Sequence, residues 1–278
     1  MPIPFLLVAA LAGTSPDSLA APVIAAENGF AADAARFGVR LAFLAHFDAD
    51  SWLFRPHPVA ALAALARDPD SGSPLEWAPE IAGVAASGDM GFTSGPWSAH
   101  APGVERIAHG HFLTVWKRAD DGIWRVQVDG GVSHPPLAQP AGAVKVIASA
   151  GSSPAAQISP GDLAQRRRLL ETGDDALRDA LANMQGDPAT MWRGIADPDL
   201  RILRPGHALT AGNEAFELIA QDPRGRGNGP RRALDVAASG DIAYTIGGDA
   251  GCKACGSYYR IWRWYEKGWR LLIDLETP

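Results

Sequence analysis

The feature that most constrains the fold of this chain is an internal repeat. The hexapeptide "VAASGD" occurs at Val84–Asp89 and again at Val236–Asp241. In both copies, apolar and polar residues alternate before Ser-Gly-Asp and again after it. A Gly-Asp pair between two runs of period two predicts a hairpin, because glycine supplies the positive φ of a tight turn. The duplicated unit is therefore a pair of strands rather than six letters.

The flanking segments extend the repeat in both directions. Upstream, Leu53–Pro69 matches Ile202–Pro223, and each segment predicts a strand, an Arg-Pro turn, a short helix and Asp-Pro. Downstream, His111–Asp129 matches Ser257–Asp274, and each segment predicts two strands joined by a charged turn that contains glycine. The matched residues in this last hairpin are Trp116 with Trp262, Trp124 with Trp269, and Asp129 with Asp274.

Helical sequence precedes each copy, over roughly residues 22–47 and 161–196. The second stretch follows Ser159-Pro160, a combination typical of a helix cap and a first-turn proline. Between the copies the chain is rich in Pro, Ala, Gly and Ser, which is linker composition. The predicted organisation is a signal peptide (1–20), a first domain (22–138), a linker (139–158) and a second domain (159–278).

This order of elements, with "VWKRADDGIWRV" at its end, resembles the SnoaL-like group of the nuclear-transport-factor-2-like superfamily. The resemblance implies an α+β fold: two copies of a cone-shaped domain, each with N-terminal helices packed on a curved, mainly antiparallel sheet. Domains of this superfamily often pair through their sheets, so we expect domain-domain pairing within the chain as an intramolecular pseudo-dimer. The superfamily holds isomerases, cyclases, dehydratases, epoxide hydrolases and non-catalytic binding modules, so the fold alone does not decide activity.

Composition and the N-terminus narrow the functional classes. The chain has 278 residues, a net charge of −6 and no basic run interleaved with aromatics, which argues against nucleic acid as a partner. Phe5–Ala12 is an apolar run of signal-peptide length, and Ser18 and Ala20 are small residues before a cleavage point at Ala21. The sequence predicts a periplasmic or secreted protein with no membrane insertion after cleavage. The alternatives are a frayed apolar N-terminus and a start site placed too early.

Histidine is concentrated in the first copy, which holds six of the seven. We predict that His111 and Asp129 lie near each other across adjacent strands and act as a catalytic general acid/base pair. A metal site that combines His109 and His111 with His134 or Asp129 is an alternative. Because no ligand set is complete, we predict no metal and no cofactor. Ordinary hydrogen-bonded or surface histidines are the third interpretation.

Other residues are candidates for ligand contacts or for packing. Arg55 lies in an Arg-Pro turn that the second copy repeats at Arg204, which fits either turn stabilisation or an anion site at a pocket mouth. Trp77 and Trp97 can line a pocket or pack in the hydrophobic core. The predicted ligand-binding residues are Arg55, His57, Trp77, Trp97 and His109.

Alternation in the last strand of the first copy separates two faces. It predicts that Trp124, Val126 and Val128 share an apolar face and that Asp129 lies on the opposite, polar face with Gln127. Core packing is the ordinary interpretation of such tryptophans.

The two cysteines form the motif "CKAC" in a loop between two predicted strands of the second copy. In an exported protein, Cys252 and Cys255 predict a disulfide. A redox-active pair and half of a zinc site are the alternatives.

Taken together, the sequence predicts an exported tandem SnoaL-like protein that binds a small, mostly apolar molecule. Proton-transfer chemistry of the isomerase, cyclase or hydratase type is expected in the first domain, if the protein is an enzyme. The alternatives are a non-catalytic carrier or sensor, and a structural interaction module whose cones are filled by their own side chains.

Overall fold

The two halves of the chain contain elements of the same types in nearly the same order. The computed structural model describes residues 16–67, 73–100, 107–137, 142–148, 157–183, 187–221, 227–252, 255–266 and 268–277. The first half comprises α1 (Pro16–Phe37), α2 (Val39–His46), β1 (Phe47–Phe54), β2 (Pro58–Ala60), α3 (Ala61–Arg67), β3 (Leu75–Trp77), β4 (Ile81–Val84), β5 (Met90–His100), β6 (Ile107–Arg118), β7 (Trp124–His134) and β8 (Lys145–Ile147). The second half comprises α4 (Pro160–Ala182), α5 (Pro188–Ile195), β9 (Ala196–Leu203), β10 (Thr210–Ala211), α6 (Gly212–Gln221), β11 (Arg231–Val236), β12 (Ile242–Gly247), β13 (Ser257–Tyr265) and β14 (Gly268–Thr277).

Each half contributes one sheet, and helices cover one face of it, so the fold is α+β as predicted. The first sheet has the order β2-β1-β7-β6-β5-β4-β8, with β3 paired to β5, and the second has the order β10-β9-β14-β13-β12-β11. Neighbouring strands are antiparallel except at three places: β1 with β7, β4 with β8, and β9 with β14. The strand β8 lies within the segment predicted to be a linker, so part of that segment extends the first sheet.

Local signals account for the helix starts in the second half. The hydroxyl of Ser159 accepts a hydrogen bond of 3.1 Å from the backbone N–H of Asp162, and Pro160 follows in the first turn. This confirms the predicted cap. Asp187 caps α5 in the same way, by accepting from the N–H groups of Ala189 and Thr190.

Most of the predicted signal peptide, residues 1–15, lies outside the described residues. Residues 16–20 form the start of α1, where Ala20 and Val23 are buried. The predicted cleavage point therefore falls inside this helix. Within the described part of the chain, no helix has the length and apolar character needed to cross a membrane.

The two sheets pack against each other through their uncovered faces. One hydrophobic cluster contains side chains from both sheets, including Phe92, Leu113 and Val128 of the first and Tyr259 and Ile273 of the second. The opposite face of each sheet packs on its own helices in a separate cluster. The chain thus pairs its sheets internally, as the pseudo-dimer hypothesis expected.

The duplicated Ser-Gly-Asp turns meet at the edge of this sheet-to-sheet contact. The carboxylate of Asp241 accepts a hydrogen bond of 2.9 Å from the backbone N–H of Ala86 in the other half. The carboxylate of Asp89 accepts a bond of 3.0 Å from the N–H of Ala238. Each aspartate therefore accepts a hydrogen bond from a backbone N–H of the equivalent turn in the other half.

The serines of the two turns complete this reciprocal contact. The backbone N–H of Ser87 donates to the hydroxyl of Ser239 at 3.1 Å, and the N–H of Ser239 donates to the hydroxyl of Ser87 at 3.2 Å. Gly88 and Gly240 supply the positive φ that the two turns require, 68° and 67°. The repeat is therefore preserved in the residues that form the contact between the halves.

A β-bulge in the last hairpin of each half changes which residues share a face. The register of β6 with β7 shifts between Val115 and Trp116, so Val126 pairs with Trp116 while Val128 pairs with Val115. Val126 then packs on the helix side, and Val128 packs against the second sheet. The prediction that these two valines share a face was wrong, because an extra residue in β7 resets the alternation.

We expect Asp241→Ala to destabilise the chain by about 1–3 kcal/mol, because it leaves the partly buried backbone N–H of Ala86 in the other half without its charged acceptor. Asp89→Ala should act similarly, and the double variant should lose less than the sum of the two, because both aspartates support one contact. Thermal unfolding measures the effect, with Asp120→Ala in an exposed turn as the control. Purely additive losses would show that the two turns do not act as one contact.

Candidate functional site

A cavity of about 330 Å³ lies on the helix side of the first sheet, which is large enough for a small molecule. Its wall is mainly apolar, with one carboxyl group and one guanidinium among the described lining residues. These residues are Phe30, Phe43, Leu53, Phe54, Arg55, Leu75, Trp77, Trp97, Phe112, Asp129, Gly130 and Gly131.

Glycines in the sheet allow aromatic side chains to lie close to the strands that form the wall. A Cβ atom at Gly110 would stand 2.5 Å from the ring of Trp97, and one at Gly130 would stand 2.6 Å from the Cβ of Phe54. Such distances are not compatible with side chains at these positions. The glycines of β6 and β7 therefore allow Trp97 and Phe54, which border the cavity, to lie directly against these strands.

Asp129 is the titratable acid in the lining of this cavity. Its carboxylate accepts a hydrogen bond of 2.9 Å from the hydroxyl of Thr114, its partner across β6 and β7. Burial raises the pKa of Asp129 to about 7, against the hydrogen bond from Thr114, which lowers it; the charge of Glu27 raises this pKa further, and that of Arg55 lowers it. A carboxyl group with such a pKa can accept or donate a proton near neutral pH.

A second carboxyl group, that of Glu27 on α1, lies behind the cavity wall. It is fully buried and accepts hydrogen bonds from Thr93 Oγ1 at 2.5 Å, Trp77 Nε1 at 2.6 Å and Trp116 Nε1 at 2.9 Å. Burial raises the pKa of Glu27, although these hydrogen bonds act in the opposite direction. Glu27 is not among the residues that the sequence analysis predicts, although its spacing places it in the buried stripe of α1 with Val23.

His111 and Asp129 do not lie near each other, contrary to the prediction. In the register of β6 and β7, Asp129 is opposite Thr114 and His111 is opposite Val132. The side chain of His111 therefore lies on the face that packs toward the second sheet. There its Nδ1 is 2.7 Å from His134 Nε2, and its Nε2 is 3.1 Å from Glu80 Oε1.

The predicted ligand-binding residues divide into two groups. Arg55, Trp77 and Trp97 line the cavity. His57 and His109 are not among the lining residues. His57 instead places its Nδ1 2.8 Å from the Ser257 hydroxyl of the second half, and His109 lies on the strand face that carries His111.

The metal alternative required His134 or Asp129 to join His109 and His111, and Asp129 lies on the other face of the sheet. Within the residues that the structure describes, no group of three His, Cys, Asp or Glu side chains is arranged to hold a metal ion.

In the second half, the position that corresponds to Thr114 carries the side chain of Arg260. Arg260 stands opposite Asp274, as Thr114 stands opposite Asp129. Its guanidinium is fully buried and donates to Asp274 Oδ1 at 2.9 Å, to Asp174 Oδ1 at 3.0 Å and to the carbonyl of Gly227 at 2.7 Å. A network of buried ion pairs therefore occupies, in the second half, the place that corresponds to the cavity wall of the first half.

Arg204, the counterpart of Arg55, also belongs to this network. Its guanidinium donates to the carboxylate of Asp274 and to the carbonyl of the same residue at 2.8 Å. Its Nε is 3.3 Å from Glu276 Oε2. Two arginines thus form buried ion pairs with Asp274.

The cysteines form the predicted disulfide. Cys252 and Cys255 are bonded in the loop between β12 and β13. This loop lies outside the first cavity, so the disulfide has no part in that site.

No protein-family model matches the sequence, and no curated protein is significantly similar to it. Several solved structures are similar in fold over part of the chain. An NTF-2 like protein of unknown function from Shewanella oneidensis MR-1 is 16% identical, with a TM-score of 0.34 over 40% of this chain and 96% of that chain. A nuclear transport factor 2 (NTF2-like) superfamily protein from Salmonella enterica serovar Typhimurium LT2 is 13% identical, with a TM-score of 0.37 over 45% and 96%. The delta 5-3-ketosteroid isomerase from Mycobacterium sp. is 19% identical, with a TM-score of 0.32 over 40% and 91%.

We expect Asp129→Asn to stabilise the folded chain at pH 8 but not at pH 4. Because the pKa of Asp129 is raised in the folded state, its contribution to stability is fully present below the pKa of the unfolded chain and is lost as the pH rises through about 7. The upper bound of the gain is about 4 kcal/mol, at about 1.4 kcal/mol per pKa unit. Thermal unfolding at both pH values measures it, with Asp120→Asn as the exposed control. An equal effect at both pH values would contradict the raised pKa.

Proposed function

We propose that the first half of this chain binds a small, mostly apolar molecule that presents one polar group to Asp129. The observation that carries the proposal is an apolar cavity with a single carboxyl group in its described lining. Aromatic walls of Trp77, Trp97 and Phe112 supply contact area, and the carboxyl group supplies orientation. This is the usual composition of a small-molecule site.

We further propose that the chain is a tandem SnoaL-like protein of the nuclear-transport-factor-2-like superfamily. The repeated order of helices and strands, the repeated bulge and the reciprocal turns support a duplication. Export to the periplasm or the medium is part of this proposal and rests on the apolar N-terminal run and the small residues before Ala21.

Proton transfer is the second candidate function, and the raised pKa of Asp129 favours it. A general base works best when its pKa is close to the working pH, and the pKa of Asp129 is about 7. In this mechanism Asp129 would take a proton from a bound molecule and return it at another atom, as in an isomerase. His111 has no role in that scheme, because it lies on the other face of the sheet.

Of the two alternatives, a carrier function concerns the first half and a structural role concerns the second half. A carrier would use the cavity for affinity alone and would keep that affinity without the ionised form of Asp129. The second half fits the structural interpretation, since Arg260 and its partners fill its interior.

A pair of probes that differ by one hydroxyl group tests the binding proposal. We expect 2-naphthol to bind about tenfold or more tightly than naphthalene, because a hydrogen bond to a carboxylate stabilises by about 1.5–3 kcal/mol. Asp129→Leu should remove this preference while retaining naphthalene. Isothermal titration measures both affinities at pH 8.

His109→Gln is the matched control, since it changes a residue on the opposite face of the same pair of strands. Equal binding of both probes by the parent chain, or an equal loss in the control variant, would contradict the assignment of the cavity. Retention of the preference in Asp129→Leu would contradict the role of Asp129.

A further inference from the structure

The two halves carry the same polar row on the helix side of their sheets. In each half, three residues on adjacent strands stand opposite one another in register, and a carboxyl group from the long first helix hydrogen-bonds to the first of them. The row is Thr93, Thr114 and Asp129 with Glu27 in the first half, and Thr245, Arg260 and Asp274 with Asp174 in the second.

The row differs in kind at one position, where Thr114 stands in the first half and Arg260 in the second. The Arg260 guanidinium holds the helix carboxylate and the strand carboxylate together, at 3.0 and 2.9 Å. The Thr114 hydroxyl instead donates to Asp129. Among the described residues of the first half, no cation occupies the position at which the second half places Arg260 between its two acids.

The space next to the missing cation is the cavity. Asp129 borders it, and so does Phe112, which occupies the register position of Tyr258 in the second half. The Arg260 guanidinium lies 3.9 Å from the centre of the Tyr258 ring. A cation beside Asp129 could contact Phe112 in the same way, by cation–π attraction.

The charged groups near Asp129 are compatible with one additional positive charge beside its carboxylate. Glu27 from α1 adds a negative charge, and Arg55 after β1 adds a positive one. His46 on α2 hydrogen-bonds to Asp33. From the second sheet, Tyr259 donates its hydroxyl to the carbonyl of Val128, and burial raises the pKa of Tyr259. In the second half, Arg204 and Arg260 both bind Asp274, so two cations beside one such carboxylate are compatible with this fold.

We propose that the ligand of the first cavity is a small aromatic or alicyclic amine, whose protonated nitrogen takes against Asp129 the place that the Arg260 guanidinium takes against Asp274. This inference deepens the proposed function and depends on it. The remaining walls, from Phe30 and Phe43 to Trp77 and Trp97, receive the apolar body of the amine. The second half, with the Arg260 guanidinium beside Asp274, thus resembles the first half with the amine bound.

Binding of such an amine depends on pH in a defined direction. The amine pairs with the ionised carboxyl group of Asp129, which a proton occupies at acid pH. Affinity should therefore be about 30-fold weaker at pH 5.5 than at pH 8, because the pKa of Asp129 is about 7.

The experiment compares 2-aminotetralin with 2-tetralol, which share a ring system and differ in the charged nitrogen. Isothermal titration is carried out on the full chain at pH 8 and pH 5.5. We expect the amine to bind at least about tenfold more tightly than the alcohol at pH 8, since charge-assisted hydrogen bonds are about twice as strong as neutral ones. The preference should disappear in Asp129→Asn and persist in His109→Gln.

Thr114→Arg supplies an independent test, because it transplants the internal cation of the second half. It should abolish amine binding and raise the melting temperature of the chain. If that variant does not fold, Asp129→Asn still decides the question.

An amine that binds no more tightly than the alcohol at pH 8 overturns this inference, while Asp129-dependent binding of 2-naphthol would leave the proposed function standing. Failure of all the probes to bind overturns both. A preference for the amine that Asp129→Asn retains also overturns the inference, because another group would then hold the nitrogen.

Discussion

Each Ser-Gly-Asp turn lies against its copy in the other half, and this contact fixes how the two sheets face each other. The backbone donors of one turn are satisfied by Asp and Ser side chains of the other, so neither turn is complete alone. The contact closes one edge of the shared core in which side chains from both sheets interdigitate. A chain with two sheets thereby buries on itself a surface that would otherwise require a second molecule.

One face of each sheet is buried against the other sheet, so only the helix side is left to form a ligand site. On this side the two halves differ. The bulge in the last hairpin directs Asp129 and Asp274 to this side in both halves. Thr114 leaves an apolar cavity beside the first aspartate, whereas Arg260 closes the second with buried ion pairs. Removing one partner of such a network leaves an uncompensated buried charge, so the second interior is committed to structure.

The first interior shows the opposite arrangement. Two carboxyl groups, Glu27 and Asp129, are held in an apolar environment that raises the pKa of both. Glu27 is fully satisfied by a threonine and two tryptophans, while Asp129 keeps an open side toward the cavity. Such costly placement of an acid group is typical of functional sites, where it prepares the group for a ligand or a proton.

The sequence by itself determined the duplication, the α+β elements, the helix cap at Ser159 and the disulfide, because repeats, caps and paired cysteines are local signals. It also selected Asp129, Arg55, Trp77 and Trp97, which line the cavity. Only the tertiary structure decided that His111 belongs to the sheet-to-sheet face, that Glu27 lies behind the cavity, and that Arg260 fills the second cone. For His111 and Asp129 the physical reason is the bulge at Gln127: one extra residue reverses the faces of the strand beyond it, and no pattern of alternation reveals it.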